Sequence, residues 1–257
     1  MQGYESFKQK VLNKTGIDLS LYKEKQMKRR LSSLAKRNGF EDFESYYKGI
    51  VANKELFEEF VNYMTINVSE FYRNPEQWKV LQDDVIPKLL SKKKQLRVWS
   101  AACSTGEEPY SMVMLLSNFM PLDQIKVYAT DLDEQAIEKA KRGQYTEKSL
   151  KNLPKNFIRD YFDKKGGIYE IRETIKKRVE FKRHNLLSDR YIDRCDLIIC
   201  RNVLIYFTEE AKSEIYTKFS KSLEKEGYLF VGSTEQIIMP SKYNLKAQKT
   251  FFYGRVE

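Results

Sequence analysis

The 257-residue chain lacks the features of a membrane-spanning or secreted protein. No apolar run approaches the ~18 residues that are needed to cross a bilayer. The first ten residues, MQGYESFKQK, contain no apolar segment of the kind that a secretory signal requires. We therefore expect a cytoplasmic protein with no direct membrane insertion.

Cysteine and histidine are also scarce. Cys103, Cys195 and Cys200 lie in or beside apolar segments and form no C-x-x-C pair, so we expect buried thiols without disulfides or zinc. His184 is the only histidine, and no G-x-S-x-G motif supports a Ser-His-Asp triad. We expect no metal site and place His184 at the surface or at an interface.

Glycine is missing where a nucleotide-binding turn would need it. The stretch from Leu96 to Asp133 is typical of strand, turn, helix and strand, the first β-α-β unit of a Rossmann-like fold. Its turn has Gly106 alone, followed by Glu107 and Glu108, and so lacks the G-x-G-x-x-G amides that close on a pyrophosphate. The acidic turn suits a cation such as S-adenosylmethionine, which has sulfonium and ammonium groups and no phosphate.

The same turn has a simpler interpretation as a helix cap, because Ser104 and Thr105 each begin an S/T-x-x-E pattern. Asp131 favours the nucleoside site. It lies 25 residues beyond Gly106 at the carboxyl end of the next strand, where an acid commonly binds ribose hydroxyls. Asp133 is an alternative ribose ligand, although its position predicts the first turn of the following helix.

The rest of the chain predicts two domains and a linker. Residues 1–66 show short amphipathic stripes that predict a helical bundle, and residues 67–76 form a linker. Residues 77–257 alternate strands and helices, which predicts a mostly parallel α/β sheet. The alternation breaks at about 144–184, where we expect an inserted β subdomain. The motif Asn74-Pro75-Glu76-Gln77 predicts a helix start with a capping box, and KTFFYGRV predicts an edge strand.

Polar residues at two strand ends and in the linker are further candidates. Asn202 follows the buried strand DLIIC, where ligands of open α/β sheets bind, although asparagine is also common in turns. Asn185 has the same two interpretations, as a ligand-binding residue or as a turn-forming residue. An arginine is usually solvated. Arg73, however, lies between the two domains, and ligand sites favour such junctions.

The chain has a formal net charge of +10, and much of it lies in one helix. Residues 21–37 hold seven Lys or Arg against the single acid Glu24. Five of the basic residues recur at seven-residue intervals and share a face: Lys23, Arg30 and Arg37, with Arg29 and Lys36 beside them. A charge run is most often a solvated face, but its single sign favours docking of an acidic partner.

Together, the motifs TINVSEFYRNP, WSAACSTGEEPYS, ATDLDE, NLL and CRNVLIYF resemble the CheR family of chemotaxis receptor methyltransferases over nearly the whole chain. The resemblance implies a Rossmann-like S-adenosylmethionine-dependent methyltransferase domain with a small all-helical N-terminal domain and an inserted β subdomain. It also implies methyl transfer to glutamate side chains of chemoreceptors, which gives glutamate methyl esters for chemotactic adaptation.

The resemblance assigns roles to individual residues. Arg73 and Tyr206 would lie nearest the transferred methyl group and are the expected catalytic residues. Glu107 would meet the methionyl end of the cofactor, with the adjacent Glu108 as an alternative, and Asp131 would bind the ribose. The remaining cofactor contacts would be Asn67, Ser69, Asn185, Leu186, Asn202 and Val203, with Arg73 at the same site.

The expected partner is the acidic cytoplasmic coiled coil of the receptors, docked on the basic helix. Some relatives bind a receptor's C-terminal tether with the inserted subdomain, but FDKKGGIYEIRETIKKR does not match their loop, so tether binding is not predicted. We expect a monomer. A nucleic-acid methyltransferase is disfavoured because CRNVLIYF replaces a D-P-P-Y type motif. A noncatalytic adaptor with the same fold is the alternative from another class.

Overall fold

The computed structural model describes residues 1–256 and begins with a bundle of four helices. These helices are α1 (Tyr4–Thr15), α2 (Glu24–Arg37), α3 (Phe43–Ala52) and α4 (Lys54–Thr65). Local signals set their ends. Asp42 accepts a hydrogen bond from the Ser45 amide at the start of α3, and Gly16 takes the left-handed conformation that ends α1.

The faces that these helices share are aromatic. Phe7 of α1 packs against Phe43 and Tyr46 of α3 and against Phe60 of α4, with ring centroids 4.9–6.0 Å apart. All four side chains are essentially inaccessible to solvent. The apolar stripes of the sequence thus form one bundle core, because each helix has only one face to bury.

The α/β part is built on a seven-stranded sheet. Its strands are β1 (Val98–Ala101), β2 (Val127–Asp131), β6 (Val179–Arg183), β7 (Cys195–Cys200), β8 (Leu223–Val231), β9 (Leu245–Lys249) and β10 (Phe252–Arg255). Their spatial order is β6-β2-β1-β7-β8-β10-β9. The first five named are parallel, and β10 is antiparallel to both its neighbours. The prediction that KTFFYGRV forms the edge is wrong, because β10 lies inside the sheet and β9 forms the edge.

Helices cover both faces of this sheet. They are α5 (Pro75–Val80), α6 (Ile86–Leu90), α7 (Glu107–Leu116), α8 (Glu134–Arg142), α9 (Lys155–Tyr161), α10 (Glu173–Lys176) and α11 (Glu209–Ser222). A π-helical segment, Leu81–Val85, joins α5 to α6 just before Pro87, where the missing proline N–H disturbs the helical hydrogen bonds. The three cysteines are buried and unpaired, as predicted.

The inserted subdomain is smaller than predicted. Its three-stranded antiparallel sheet contains β3 (Gln144–Thr146), β5 (Ile168–Ile171) and β4 (Phe162–Lys165), in that spatial order. The segment RVEFKR was expected to belong to it, but β6 pairs in parallel with β2 from Val127–Val179 to Asp131–Arg183. A strand that continues the main sheet satisfies its backbone groups there, so the insertion ends before residue 179.

Backbone contacts join the helical bundle to the α/β domain. Tyr22 pairs with Phe207 in an isolated antiparallel bridge, and their rings lie 4.8 Å apart. The Lys23 amide donates to the Tyr206 carbonyl at 2.9 Å, and the Thr208 amide donates to the Leu21 carbonyl at 2.9 Å. The start of α2 is therefore attached to the loop that follows β7.

At the opposite, amino-terminal edge of the sheet, Gly227 allows a close backbone contact that we expect any larger residue to disrupt. A Cβ there would lie 2.8 Å from the Cys195 carbonyl oxygen and 3.1 Å from that of Glu224. We predict that Gly227→Ala lowers the free energy of unfolding by about 1–3 kcal/mol, because backbone atoms cannot move aside cheaply. Thermal denaturation would measure the loss. Gly167→Ala is the matched control, since a Cβ there meets nothing within 4 Å, and an equal loss in both variants would contradict the assignment.

A candidate active site at the carboxyl edge of the sheet

A cavity lies where the strand order reverses between β1 and β7, outside the carboxyl ends of the parallel strands. This is the usual position of ligand sites in open α/β sheets. Its empty space is about 950 Å³ when the open mouth is counted. The walls come from the linker, the loops after β1, β2, β6 and β7, and Tyr22 and Phe207 at the domain junction.

The turn after β1 is not a helix cap. Helix α7 begins at Glu107 without a side-chain cap, and the hydroxyl groups bond elsewhere. Ser104 Oγ donates to Asn67 Oδ1 at 2.9 Å, and Thr105 Oγ1 donates to Glu107 Oε2 at 2.7 Å. Gly106 has φ 93°, and a Cβ there would lie 2.8 Å from that of Ala140, so the turn requires glycine at this position.

Asp131 is buried at the end of β2 and organises this turn. Its Oδ2 accepts from the Ser104 amide at 2.7 Å, and its Oδ1 accepts from the Asp133 amide at 2.9 Å. Burial raises the pKa of Asp131 to about 6 against these bonds. Asp133 does not line the cavity; its Oδ1 caps α8, as its position predicted, and its Oδ2 binds Asn67 Nδ2 at 2.6 Å.

The two glutamates of the turn point to different places. The Glu108 side chain is 13% exposed, lines the cavity and accepts from Ser100 Oγ at 2.8 Å. Burial raises the pKa of Glu108 to about 7, although the Arg201 guanidinium opposes the shift. Glu107 is buried, bonds to Thr105 and does not line the cavity. Glu108 therefore faces the cavity, whereas Glu107 faces Thr105 and the linker residue Ser69.

The linker forms one wall. Asn67, Ser69 and Arg73 all line the cavity. The Asn67 side chain is occupied by Ser104 and Asp133, so it ties the linker to two strand-end loops. Arg73 is half-buried, and its Nη1 donates to the Val68 carbonyl at 3.1 Å. Its positive charge opposes the rise in the pKa of Glu108 that burial causes.

Arg201 holds the linker against the sheet, and sequence reasoning missed it. Its Nη2 donates to the Arg73 carbonyl at 2.8 Å, to Gln77 Oε1 at 2.9 Å and to Asn74 Oδ1 at 3.1 Å. The expected capping box of Asn74 and Gln77 is therefore wrong, because both side chains serve this guanidinium instead. Arg201 also lies 4.7 Å from the Phe230 ring centroid. A charged residue directly after a buried strand was the available signal.

The loop after β7 supplies Asn202, Val203 and Tyr206 to the cavity wall. Asn202 has φ 61°, a left-handed conformation that asparagine tolerates better than most residues. Asn185 and Leu186, after β6, lie on the wall as well and are 7% exposed. The structure thus brings together nine of the ten predicted cofactor and catalytic residues, with Glu107 as the exception.

The expectation that His184 lies at the surface or an interface is wrong. It is 6% exposed, lines the cavity, and packs edge-on against Trp99 with ring centroids 5.4 Å apart. Its Nε2 lies 3.2 Å from the Arg190 carbonyl oxygen. Burial lowers the pKa of His184. The strand that ends before it carries its ring into the core, which its isolated position in the sequence did not indicate.

The basic face of α2 is narrower than the sequence indicated. Arg30 is half-buried and donates to the Tyr63 carbonyl, with its guanidinium 4.7 Å from the Tyr63 ring centroid. Arg37 forms an ion pair with Glu59 at 2.7 Å. These two residues pack α2 against α4 and are not free docking charges. Lys23, Arg29 and Lys36 are exposed, and within residues 1–256 none of the three has an ion pair.

The donor set fits S-adenosylmethionine. The carboxylates of Asp131 and Glu108 offer acceptors for a ribose diol and for an ammonium group, and cationic charge would offset the burial that raises their pKa values. Arg73 and Arg201 offer cationic donors for a carboxylate. Leu132, Leu186 and Val203 supply apolar walls for a base.

Comparison with known proteins gives the family of the chain. Residues 67–252 match the model of the CheR methyltransferase SAM-binding domain, and residues 2–65 match that of the CheR all-alpha domain. The chain is 42% identical to the chemotaxis protein methyltransferase of Listeria innocua over 97% of this chain and 96% of that protein. The corresponding figures are 41%, 97% and 96% for the Listeria monocytogenes protein and 34%, 91% and 90% for the Borreliella burgdorferi protein. No helix in residues 1–256 is long and apolar enough to cross a membrane. The chain belongs to the CheR methyltransferase family and is an S-adenosylmethionine-dependent methyltransferase of chemotaxis.

Proposed function

We propose that the enzyme methylates glutamate carboxylates on the acidic cytoplasmic coiled coil of chemoreceptors. The attachment of α2 to the cavity rim carries this proposal. The Lys23 amide is bonded to the Tyr206 carbonyl at 2.9 Å, so a basic helix begins directly beside a cavity-wall residue. A negatively charged protein surface docked on α2 therefore has its side chains within reach of the cavity mouth.

In this proposal Asp131 binds the ribose, and Asn185, Leu186, Asn202 and Val203 border the adenine and methionine portions. Glu108 replaces Glu107 as the proposed partner of the methionyl ammonium, because Glu108 lines the cavity. Asn67 acts through Ser104 and Asp133 by fixing the linker. Ser69 lies on the linker wall and keeps the cavity polar there.

The reaction needs no general base. A glutamate with an ordinary pKa of about 4.3 is ionised at neutral pH, so its oxygen is already a nucleophile. When bound, S-adenosylmethionine supplies a methyl group that bonds to this oxygen while sulfur keeps the electron pair of the broken bond. Arg73 orients the incoming carboxylate, Tyr206 supports it, and the linker excludes water.

The acceptor chemistry is testable by product lability. We expect labelled S-adenosylmethionine to transfer its methyl group to purified receptor cytoplasmic domain, and mild alkali to release the label as methanol, because a carboxyl methyl ester hydrolyses readily. Nucleic acid is the parallel substrate. Alkali-stable label on nucleic acid would contradict the proposed acceptor, and so would the absence of transfer to the receptor domain.

Arg73 provides a test of the proposed alignment. We predict that Arg73→Ala lowers kcat/KM for the receptor domain by about 10- to 150-fold, the value of one hydrogen bond to a charged group. Initial-rate kinetics and a calorimetric titration with S-adenosylhomocysteine separate acceptor alignment from cofactor binding. Arg159→Ala is the matched control, since Arg159 is exposed and paired with its neighbour Asp160. Unchanged turnover and cofactor affinity in Arg73→Ala would exclude the role.

If the receptor docks on α2, reversing charges on this helix should weaken receptor binding and leave cofactor binding unchanged. Reversing Arg29 and Lys36 together to Glu should raise the receptor KM and leave the cofactor Kd unchanged, because both residues are exposed and lie outside the cavity wall. The difference should shrink in high salt, because the Debye length falls from ~10 Å at 0.1 M to ~3 Å at 1 M ionic strength.

The control for this pair changes the net charge equally. Lys94→Glu with Lys221→Glu alters exposed residues that precede β1 and β8, at the edge of the sheet opposite the cavity. An equal rise in KM would mean that overall charge, and not α2, attracts the receptor.

A further inference from the structure

Glu235 is a buried acid outside the cavity wall that contacts the loop after β7. It lies in the turn that follows β8 and is 5% exposed. Its carboxylate accepts hydrogen bonds from four backbone amides, those of Asn202, Leu204, Ile205 and Gly232. Three of these amides belong to the loop that supplies the cavity wall.

Each of the two carboxylate oxygens accepts two of these hydrogen bonds. Oε1 accepts from Leu204 at 2.7 Å and from Ile205 at 3.3 Å, which are the first amides of the 3₁₀ turn Leu204–Tyr206. Oε2 accepts from Asn202 and from Gly232, the latter at 3.0 Å. A charged acceptor thus satisfies amides that the turn itself leaves unpaired, and such bonds are about twice as strong as neutral ones.

The loops that follow β7 and β8 also lie in close contact. A Cβ on Gly232 would lie 2.5 Å from Glu235 Oε2 and 2.9 Å from the Asn202 amide nitrogen. Asn202 itself is held at φ 61°, in the left-handed region that costs free energy for any residue with a side chain, though less for asparagine than for most. The carboxylate and the glycine together hold Asn202 in this conformation.

We propose that Glu235 is a positioning residue of the transferase, because it fixes the loop that presents Asn202, Val203 and Tyr206 to the cavity. Glu235 does not line the cavity and acts only through these residues. The inference rests on the proposed placement of Asn202 and Val203 at the cofactor. It adds a residue that neither the turn motif nor the strand-end asparagine indicated.

Glu235→Gln is the direct test. Glutamine has the same shape but presents an amino group where one oxygen accepts two N–H bonds, so two of the four amides lose their acceptor. We expect the Kd for S-adenosylhomocysteine to rise by about tenfold or more. It is measured by calorimetry at a temperature at which the variant is fully folded. Amide hydrogen exchange of residues 201–206 in the ligand-free protein should also become faster.

Two further variants keep the result interpretable. Gly232→Ala leaves the carboxylate intact and displaces it, so it should weaken binding in the same direction even if Glu235→Gln does not fold. Gly227→Ala perturbs the same β7–β8 pair at its opposite end and should lower stability with no change in Kd. Unchanged Kd values in Glu235→Gln and Gly232→Ala would overturn the inference.

Asn202→Ala separates this inference from the proposed site. Weak binding in Asn202→Ala with normal binding in Glu235→Gln would overturn the positioning role alone. Normal binding in both would overturn the placement of Asn202 at the cofactor as well. Weak binding in both, with normal binding in Gly227→Ala, is the result that we expect.

Discussion

Three buried carboxylates hold the loops at the carboxyl edge of the sheet, and the cavity depends on them. Asp131 accepts from the turn after β1, Asp133 joins α8 to the linker, and Glu235 accepts from the loop after β7. Parallel strands end at this edge with backbone amides that have no partner in the sheet. A carboxylate that accepts several N–H groups satisfies this requirement and also fixes the shape of a loop.

Some of this arrangement follows from the sequence alone. The β-α-β unit and Asp131 at the end of β2 are local patterns, because a strand that ends on an acid is visible in a few residues. The helical bundle is equally visible, since each stripe of Phe, Tyr and Leu repeats at helical spacing. The strand ends therefore indicate where the site lies.

Contacts between distant segments were not predictable. Glu235 and Asn202 are 33 positions apart, and Arg201 and Gln77 are 124 apart, so no local pattern pairs them. The choice between Glu107 and Glu108 depends on how α7 is rotated against the sheet, which a one-residue difference in sequence cannot reveal. Likewise, Arg30 and Arg37 fit a basic face by spacing, yet Tyr63 and Glu59 of α4 occupy them.

The link between α2 and the loop after β7 has a consequence for how this enzyme can diversify. The Tyr22–Phe207 bridge and the Lys23–Tyr206 bond are made by main-chain atoms. Substitutions on the exposed face of α2 leave these atoms in place. The proposed docking surface is thus free to change its side chains during evolution, while the loop after β7, to which it is attached, keeps its geometry.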